Sequence, residues 1–389
     1  MKKRNKIALV SLLAIVGVVL VFIVMNKTVQ TEYESLNETD KQMLTELSTI
    51  YQHFEQSPDQ LWNEEYDFRT LPLLLVHTNK DRGFFRKEAF AVNVKQFENS
   101  MFATEIKVPE AFGLPKVYRV SRFDPSTISA WMPFNFATLE MDGTEAMYFK
   151  YHPKMFSEPE LYFDFASFLL HESFHIFKQK NWTYDADGAE FIDNYPVTEE
   201  NYALMGLEFK LLDQAMAVND TETIKQHLRD WAIVRSYRYQ KWPQLVGETK
   251  TEAIEGSARY IEYRYSELTG GKLTVLATKE EPFHVTFMHV FDVIANGQLS
   301  PRYLVRSIRY ETGSALELLM DKAAIPWKAA IEDHPQKPGQ TPYEIVKAYF
   351  NIQDSASVEK EIERIKSKYG YEALLEQGAK IANLNKEEQ

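Results

Sequence analysis

The feature that first constrains this chain is an uncharged apolar stretch, residues 7–25 (IALVSLLAIVGVVLVFIVM), which directly follows the basic leader MKKRNK. A helix needs about 20 such residues to cross the hydrocarbon core of a membrane. The stretch therefore predicts a membrane-spanning helix. Basic flanks tend to stay in the cytoplasm, so we expect residues 1–6 in the cytoplasm, residues 7–25 as a single-pass anchor in the cell membrane, and the rest of the chain outside.

A cleavable signal peptide is the alternative interpretation of this stretch. The apolar region is long for a signal peptide, and the residues after it, NKTVQTEYE, contain no small-x-small cleavage pattern. The sequence therefore favours an anchor, which makes the membrane one partner of the protein. Whether the segment is ever cleaved stays open at this point.

Composition narrows the classes of function. The chain has 389 residues, of which 44% are hydrophobic and 13% aromatic, so it can bury a sizeable core. Its net charge of −12 argues against a nucleic-acid partner, because phosphate contacts depend on clustered lysine and arginine. It contains no cysteine, so any metal site must use histidine, aspartate or glutamate.

Strand signals are concentrated before residue 152. Asp142-Gly143 separates two strand-like runs, and this dipeptide is a strong hairpin signal. The strand-like runs are residues 71–78, 116–123, 134–141 and 144–151. They predict a small mixed or antiparallel sheet.

Helical patterns precede and follow these strands. Residues 38–56 carry an apolar stripe at helical spacing, and two further helices are expected within residues 200–240. The sequence thus predicts an α+β protein with a mostly helical C-terminal part. We assign residues 26–355 to one extracytoplasmic domain and residues 356–389 to a helical tail.

One short motif, HESFH at residues 171–175, points to chemistry. Apolar residues recur around it with helical period. Upstream, Ser157 and Glu160 fit a capping box, with Pro159 tolerated in the first turn. The motif is therefore expected on a helix that begins near Ser157.

On a helix, the three polar residues of the motif have distinct positions. His171 and His175 lie one turn apart on one face, with Cβ atoms roughly 5–6 Å apart, so their imidazoles can bind one ion. Glu172 lies to one side of that line and can reach a metal-bound water without binding the metal. This arrangement provides two zinc ligands and a general base.

A catalytic zinc with two histidine ligands needs a third protein ligand and an open position. Residues 251–264 (TEAIEGSARYIEYR) have a helical pattern and contain Glu255. Glu252, one turn earlier, and Glu208 are alternative third ligands. Glu252 could also accept a hydrogen bond from a ligating histidine.

Residues 255–260 (EGSARY) resemble the E-G-x-A-x-[YF] segment in which zinc aminopeptidases of the gluzincin group place their glutamate ligand. Together with HESFH, this segment resembles the active site of that superfamily, which includes the thermolysin-like peptidases. The resemblance implies a zincin-like fold and one Zn²⁺ per chain, held by His171, His175 and Glu255. It also implies peptide-bond hydrolysis.

The sequence departs from that superfamily in two respects. His175 and Glu255 are 80 positions apart (255 − 175), more than in thermolysin or the aminopeptidases. The chain contains nothing like the G-x-M-E-N segment of the aminopeptidases, so aminopeptidase specificity does not carry over. The resemblance therefore indicates a superfamily and no particular family.

Zinc peptidases also need a donor that stabilises the oxyanion formed during attack on the carbonyl. Tyr310 is our candidate, because it precedes Thr312-Gly313 and a helical run, where a loop could present it to a cleft. The other candidates are His284, His289, Tyr260 and Tyr263.

The sequence as a whole predicts a membrane-anchored zinc metallopeptidase that acts on a peptide or protein substrate. In this interpretation Glu172 is the general base and zinc activates the water. An inactive zincin-like pseudoenzyme, a binding module and a structural zinc site are the alternatives. The cleavage specificity and the oligomeric state stay open.

Overall fold

The computed structural model describes residues 2–28, 30–63, 65–83, 86–122, 124–184, 192–334, 336–353 and 356–387. The chain divides into two compact units, Met1–Phe177 and Lys178–Gln389. The first contains the apolar N-terminal helix and the sheet, and the second is helical.

The first unit combines an N-terminal helix, a sheet and the helix that carries HESFH. Its helices are α1 (Lys2–Lys27), α2 (Glu38–Gln56), α3 (Pro58–Leu61), α4 (Lys154–Ser157) and α5 (Phe165–Ser173). Its strands are β1 (Leu73–Thr78), β2 (Arg86–Val92), β3 (Ala103–Ile106), β4 (Val117–Val120), β5 (Phe136–Met141) and β6 (Thr144–Tyr151). Helix α1 is long and apolar enough to span a membrane, and the side chains of its apolar stretch are mostly exposed in the fold.

Among the described residues, six strands form one mixed sheet in the order β3-β4-β2-β1-β6-β5. Strands β1 and β6 are parallel, and the other neighbours are antiparallel. The pairing of β5 with β6 confirms the predicted hairpin: it runs from Phe136–Phe149 to Met141–Thr144, around Asp142 and Gly143. Gly143 has a φ of +72°, which glycine adopts without strain.

Aromatic packing holds α5 against the sheet. The ring of Phe149 on β6 lies 5.9 Å from Phe165 and 5.3 Å from Phe168, in edge-to-face geometry that aromatic pairs favour. Below them, the buried carboxylate of Asp40 on α2 accepts a hydrogen bond from the Tyr151 hydroxyl at 2.7 Å and pairs with His77 Nδ1 at 2.7 Å. These contacts fix α2 and α5 relative to the sheet.

The predicted start of the HESFH helix is wrong. Ser157 ends the short helix α4, and no capping box with Glu160 forms in the described residues around it. Helix α5 begins instead at Phe165, where the Asp164 side chain accepts a hydrogen bond from the Ser167 backbone N–H at 3.0 Å. An aspartate N-cap satisfies the helix end as well as serine does, and the apolar periodicity upstream of Phe165 belongs to irregular chain.

The second unit is a set of packed helices. They are α6 (Glu199–Met216), α7 (Thr221–Lys241), α8 (Gly247–Thr251), α9 (Ser257–Leu268), α10 (Phe287–Ala295), α11 (Ser307–Lys322), α12 (Lys328–Ile331), α13 (Pro342–Tyr349), α14 (Ala356–Tyr369) and α15 (Tyr371–Glu387). Helix α6 packs against α7 and α15, and α14 packs against α7. The predicted C-terminal tail is thus a helix pair that belongs to the core of this unit.

These observations confirm the predicted α+β class, the mixed sheet and the helical C-terminal part. The helix predicted at residues 38–56 is confirmed with the same bounds. Strands β2 and β3 were not predicted. Strand β2, RKEAFAV, begins with charged residues, and β3, ATEI, has only four residues, so neither gives a clear alternation.

Candidate metal centre

The two histidines of HESFH face each other in the structure. His171 Nε2 and His175 Nε2 are 3.0 Å apart, and the imidazole rings meet at 79°. Two nitrogens bound to one tetrahedral zinc, each at 2.0–2.1 Å, lie about 3.3 Å apart. The observed separation is close to that value. His171 is buried and His175 is half-buried, so solvent reaches part of the pair.

Both segments that carry predicted ligands contain one turn of π-helix, which we call a π-turn. Helix α5 continues into the turn Phe174–Lys178, which includes His175, and α8 continues into the turn Glu252–Gly256, which includes Glu255. A π-turn adds one residue to a helical turn and shifts the side chains that follow around the axis; such turns are frequent at functional sites. The sequence patterns predicted the helices but not these local expansions.

The structure brings the three predicted ligands into one group. One ligand atom each from His171, His175 and Glu255 lies within 4.8 Å of the other two. Within the described residues, this group contains two imidazoles and one carboxylate, and it could hold a metal ion. Two histidines and a glutamate are a known ligand set of catalytic zinc, which leaves a fourth position for water or substrate.

A hydrogen bond inside the second unit holds the segment that carries Glu255. Gln179 follows His175 by about one turn, and its side-chain N–H group donates to the backbone carbonyl of Ile254 at 2.9 Å. Ile254 directly precedes Glu255. Because the Gln179 side chain is buried, this bond is shielded from water and fixes the neighbouring turns.

Helix α11 presents two further side chains to Glu255. Arg306, the N-cap residue of α11, lies with Nη2 3.3 Å from Glu255 Oε1. The Tyr310 ring lies 5.3 Å from the Arg306 guanidinium. Burial and the Glu255 carboxylate raise the pKa of the Tyr310 hydroxyl above its ordinary value, and Arg306 opposes that shift. The hydroxyl therefore stays protonated at neutral pH and can donate a hydrogen bond.

The predicted loop position of Tyr310 is wrong. Tyr310 lies in the first turn of α11, which starts at Ser307 and continues through Thr312-Gly313. A glycine in the middle of a helix is usually unfavourable. Here a close helix crossing explains it.

Two glycines allow the backbone of α11 to contact the backbone of the turn Glu252–Gly256. A Cβ atom on Gly313 would lie 2.5 Å from the Glu252 carbonyl oxygen, and a Cβ on Gly256 would lie 2.7 Å from the Gly313 Cα. Neither position has room for a larger residue without backbone movement. The crossing is what places Arg306 and Tyr310 beside Glu255.

The two alternative third ligands belong to a buried ionic network. Glu252 accepts hydrogen bonds from Arg235 at 3.1–3.3 Å and from the Thr312 hydroxyl at 2.6 Å. Glu208 pairs with Arg235 at 2.8 Å and with Arg238 at 3.4 Å. Both carboxylates are fully buried. Their oxygens are engaged by arginines, so neither is oriented as a metal ligand.

The same network has balanced charge. It comprises Arg235, Arg238, Arg309, Glu208, Glu248 and Glu252, all essentially buried. Although burial alone would raise it, Arg238 and Arg309 hold the pKa of Glu248 down to about 2. Buried charges are tolerated only when they are paired and hydrogen-bonded. The network therefore anchors α7, α8 and α11 around the turn that carries Glu255.

The remaining predicted residues have different surroundings. Glu172 lies on α5 beside His171 and is partly exposed, so it can meet a substrate. Tyr260 and Tyr263 are buried, and their hydroxyls donate to Asp321 and Glu311 at 2.6 Å each. The other two candidates, His284 and His289, are exposed. Tyr310 lies beside Glu255, whose carboxylate acts on its hydroxyl.

Arg306 is the residue that sequence reasoning missed. It lies four positions before Tyr310, one helical turn away, so the choice of Tyr310 could have led to it. Its approach to Glu255 depends on the glycine crossing, which no local pattern indicates. Comparison of the chain with protein-family models, with curated proteins and with solved structures found no match.

Proposed function

We propose that the protein is a zinc-dependent peptidase anchored in the membrane, with its active site outside the cytoplasm. The observation that carries this proposal is the donor set: two imidazole nitrogens 3.0 Å apart and a glutamate carboxylate within 4.8 Å of both. This set suits a catalytic zinc better than calcium or magnesium, which prefer oxygen ligands. The adjacent Glu172 gives the site a base.

The proposed ion would be held by His171, His175 and Glu255. When bound, zinc polarises a scissile carbonyl and lowers the pKa of water toward about 7. Glu172 takes the proton from the attacking water and delivers it to the leaving amine. The partial exposure of Glu172 supports this role, because a proton shuttle must face both water and substrate.

Arg306 and Tyr310 are proposed to bind the carbonyl oxygen as negative charge develops on it. Arg306 carries a permanent positive charge and its side chain is 38% exposed, which leaves it accessible to a substrate. Tyr310 supplies a hydroxyl that stays protonated. Donors fixed in place before the reaction stabilise the transition state more than mobile ones, and α11 fixes both.

We expect the purified full-length chain to bind about one zinc per molecule and to cleave members of a broad peptide library. A chelator should abolish cleavage, and added zinc should restore it. Elemental analysis and mass spectrometry of the peptides measure the two properties. His171→Ala and His175→Ala should each lose most of the zinc, because two remaining ligands bind weakly.

Folded wild-type protein that binds no zinc after metal-free purification and zinc titration would contradict the proposal. Zinc binding without cleavage of any library member would favour a structural site or a binding module. Circular dichroism of the histidine variants is the control for folding. It separates a lost ligand from a lost fold.

The proposed orientation can be tested because the natural chain has no cysteine. Thr144 is exposed at the start of β6, next to the β5–β6 turn, and Asn5 lies in the basic leader. The variants Thr144→Cys and Asn5→Cys each introduce a single cysteine. In spheroplasts, a membrane-impermeant maleimide should label Cys at position 144 directly and Cys at position 5 only after permeabilisation. The reverse pattern would show that the orientation is wrong.

A further inference from the structure

The end of the apolar helix is joined to one edge of the sheet. The Asn26 side chain donates to the Thr104 hydroxyl at 3.1 Å, and Lys27 Nζ donates to the Ala103 carbonyl at 3.2 Å. Both partners lie at the start of β3. Helix α1 therefore ends directly at the point where β3 begins, and the membrane that α1 is proposed to span lies next to that point.

Strand directions show what else lies at this edge. Ala103 at the start of β3 pairs with Val120 at the end of β4, and β1 ends at Thr78 opposite the start of β2. Parallel β6 ends beside β1, at Tyr151, and β5 starts nearby at Phe136. These strand termini all lie at one end of the sheet, which we call the anchor edge. The name refers to this end of the strands and not to an outermost strand. The β5–β6 turn around Asp142 lies at the opposite edge.

Two segments at the anchor edge, the one just before β3 and the β4–β5 connection, carry large apolar side chains that are exposed. The side chains are Met101 (56% exposed), Ile128 (70%), Met132 (49%) and Phe134 (58%). Single exposed apolar residues are normal on a soluble surface. Several at one edge, next to a membrane helix, indicate a surface that contacts an apolar partner.

Hydrogen bonds hold the β4–β5 connection, which carries three of these residues, against the rest of the fold. The 3₁₀ turn Pro125–Trp131 is capped by Asp124, whose side chain accepts from the Ser126 backbone N–H at 2.9 Å. The ammonium group of the buried Lys150 donates to the carbonyls of Met132 and Gly83. The outward direction of Ile128, Met132 and Phe134 is therefore fixed by the fold.

We propose that the anchor edge docks on the outer lipid surface of the membrane, with Ile128, Met132, Phe134 and Met101 entering the interfacial region. This inference rests on the proposed span of α1 and goes beyond the proposed peptidase activity. Apolar side chains at the headgroup boundary are removed from water, and the α1 tether keeps them next to the bilayer. In this arrangement the membrane contacts the anchor edge directly and so sets the orientation of the sheet, in addition to the tether that α1 provides.

Fluorescence quenching from within the lipid tests the proposal on the full-length chain. Ile128→Cys and Phe134→Cys are exposed sites, and Thr144→Cys at the opposite edge is the matched control. Each variant is labelled with a nitrobenzoxadiazole probe and reconstituted into phosphatidylcholine–phosphatidylglycerol vesicles. Lipid-borne doxyl groups should quench the probes at positions 128 and 134 severalfold more strongly than the probe at position 144.

Probes at positions 128 and 134 that are quenched no more than the control, in protein that floats with the vesicles, would overturn the docking proposal alone. A change in probe fluorescence that depends on protein concentration and not on doxyl lipid would indicate that a second copy of the chain covers these sites. That result would overturn the docking proposal too. Protein that fails to float with the vesicles would contradict the proposed membrane anchor as well. Zinc binding and peptide cleavage in detergent are independent of all three results.

Discussion

Glu255→Gln is expected to lower the zinc affinity of the chain at least about a hundredfold, because even residues that only support a ligand are worth 10- to 100-fold. The carboxamide keeps the size of the side chain but removes the charge and one strong donor oxygen. The fold should survive, since Glu255 contacts Arg306 near the surface of its unit and lies outside the buried network. Competition with a chromogenic chelator measures the affinity.

Glu252→Gln is the matched control, one turn earlier in the same segment. It should keep the zinc and instead lower the free energy of unfolding by about 3–5 kcal/mol, because it leaves Arg235 buried without its full countercharge. Denaturant titration in detergent measures this loss. If Glu252→Gln loses zinc while folded and Glu255→Gln keeps it, the third ligand is Glu252 and our assignment is wrong.

Local patterns carried much of the information about this fold. The apolar stripe of residues 38–56 predicted α2, and Asp142-Gly143 predicted the β5–β6 hairpin. These elements depend on neighbouring residues, so a short stretch of sequence is sufficient. The pairing of β1 with β6 is parallel and joins distant segments. No local signal specifies it.

Local patterns likewise predict only part of the candidate site. His171 and His175 could be paired from their spacing, because one helical turn sets their distance. Glu255 was selected from several acids by a resemblance. No local pattern indicates the π-helical turn that carries Glu255 or the Gly256–Gly313 contact beside it.

The wrong predictions have physical causes. Ser157 and Glu160 had the letters of a capping box, but Asp164 caps the helix seven residues later. Ser157 and Asp164 are both favourable N-cap residues, and packing decides between them. The Thr312-Gly313 pair after Tyr310 predicts a loop at this position. Gly313 serves instead as the contact point of two helices.

The largest effect on catalysis is expected from Glu172→Gln, which should reduce turnover at least about a hundredfold, since general-base catalysis is typically worth 10² to 10⁴ in rate. Glutamine has nearly the same shape but cannot accept the proton from water. Because Glu172 is not among the three grouped ligands, zinc content should barely change. Steady-state cleavage of a library-derived peptide, with zinc measured on the same sample, tests this.

Tyr310→Phe provides the comparison that separates the base from the oxyanion donor. It removes a single hydroxyl beside Glu255, and turnover should fall by about 10- to 10³-fold with little change in KM if that hydroxyl acts mainly in the transition state. Zinc content should again be unchanged. A zinc-loaded Glu172→Gln protein that cleaves peptide as fast as the wild type, with contaminating proteases excluded, would rule out the proposed mechanism. Full activity in Tyr310→Phe alone would leave Glu172 as the base and assign the oxyanion contact to Arg306.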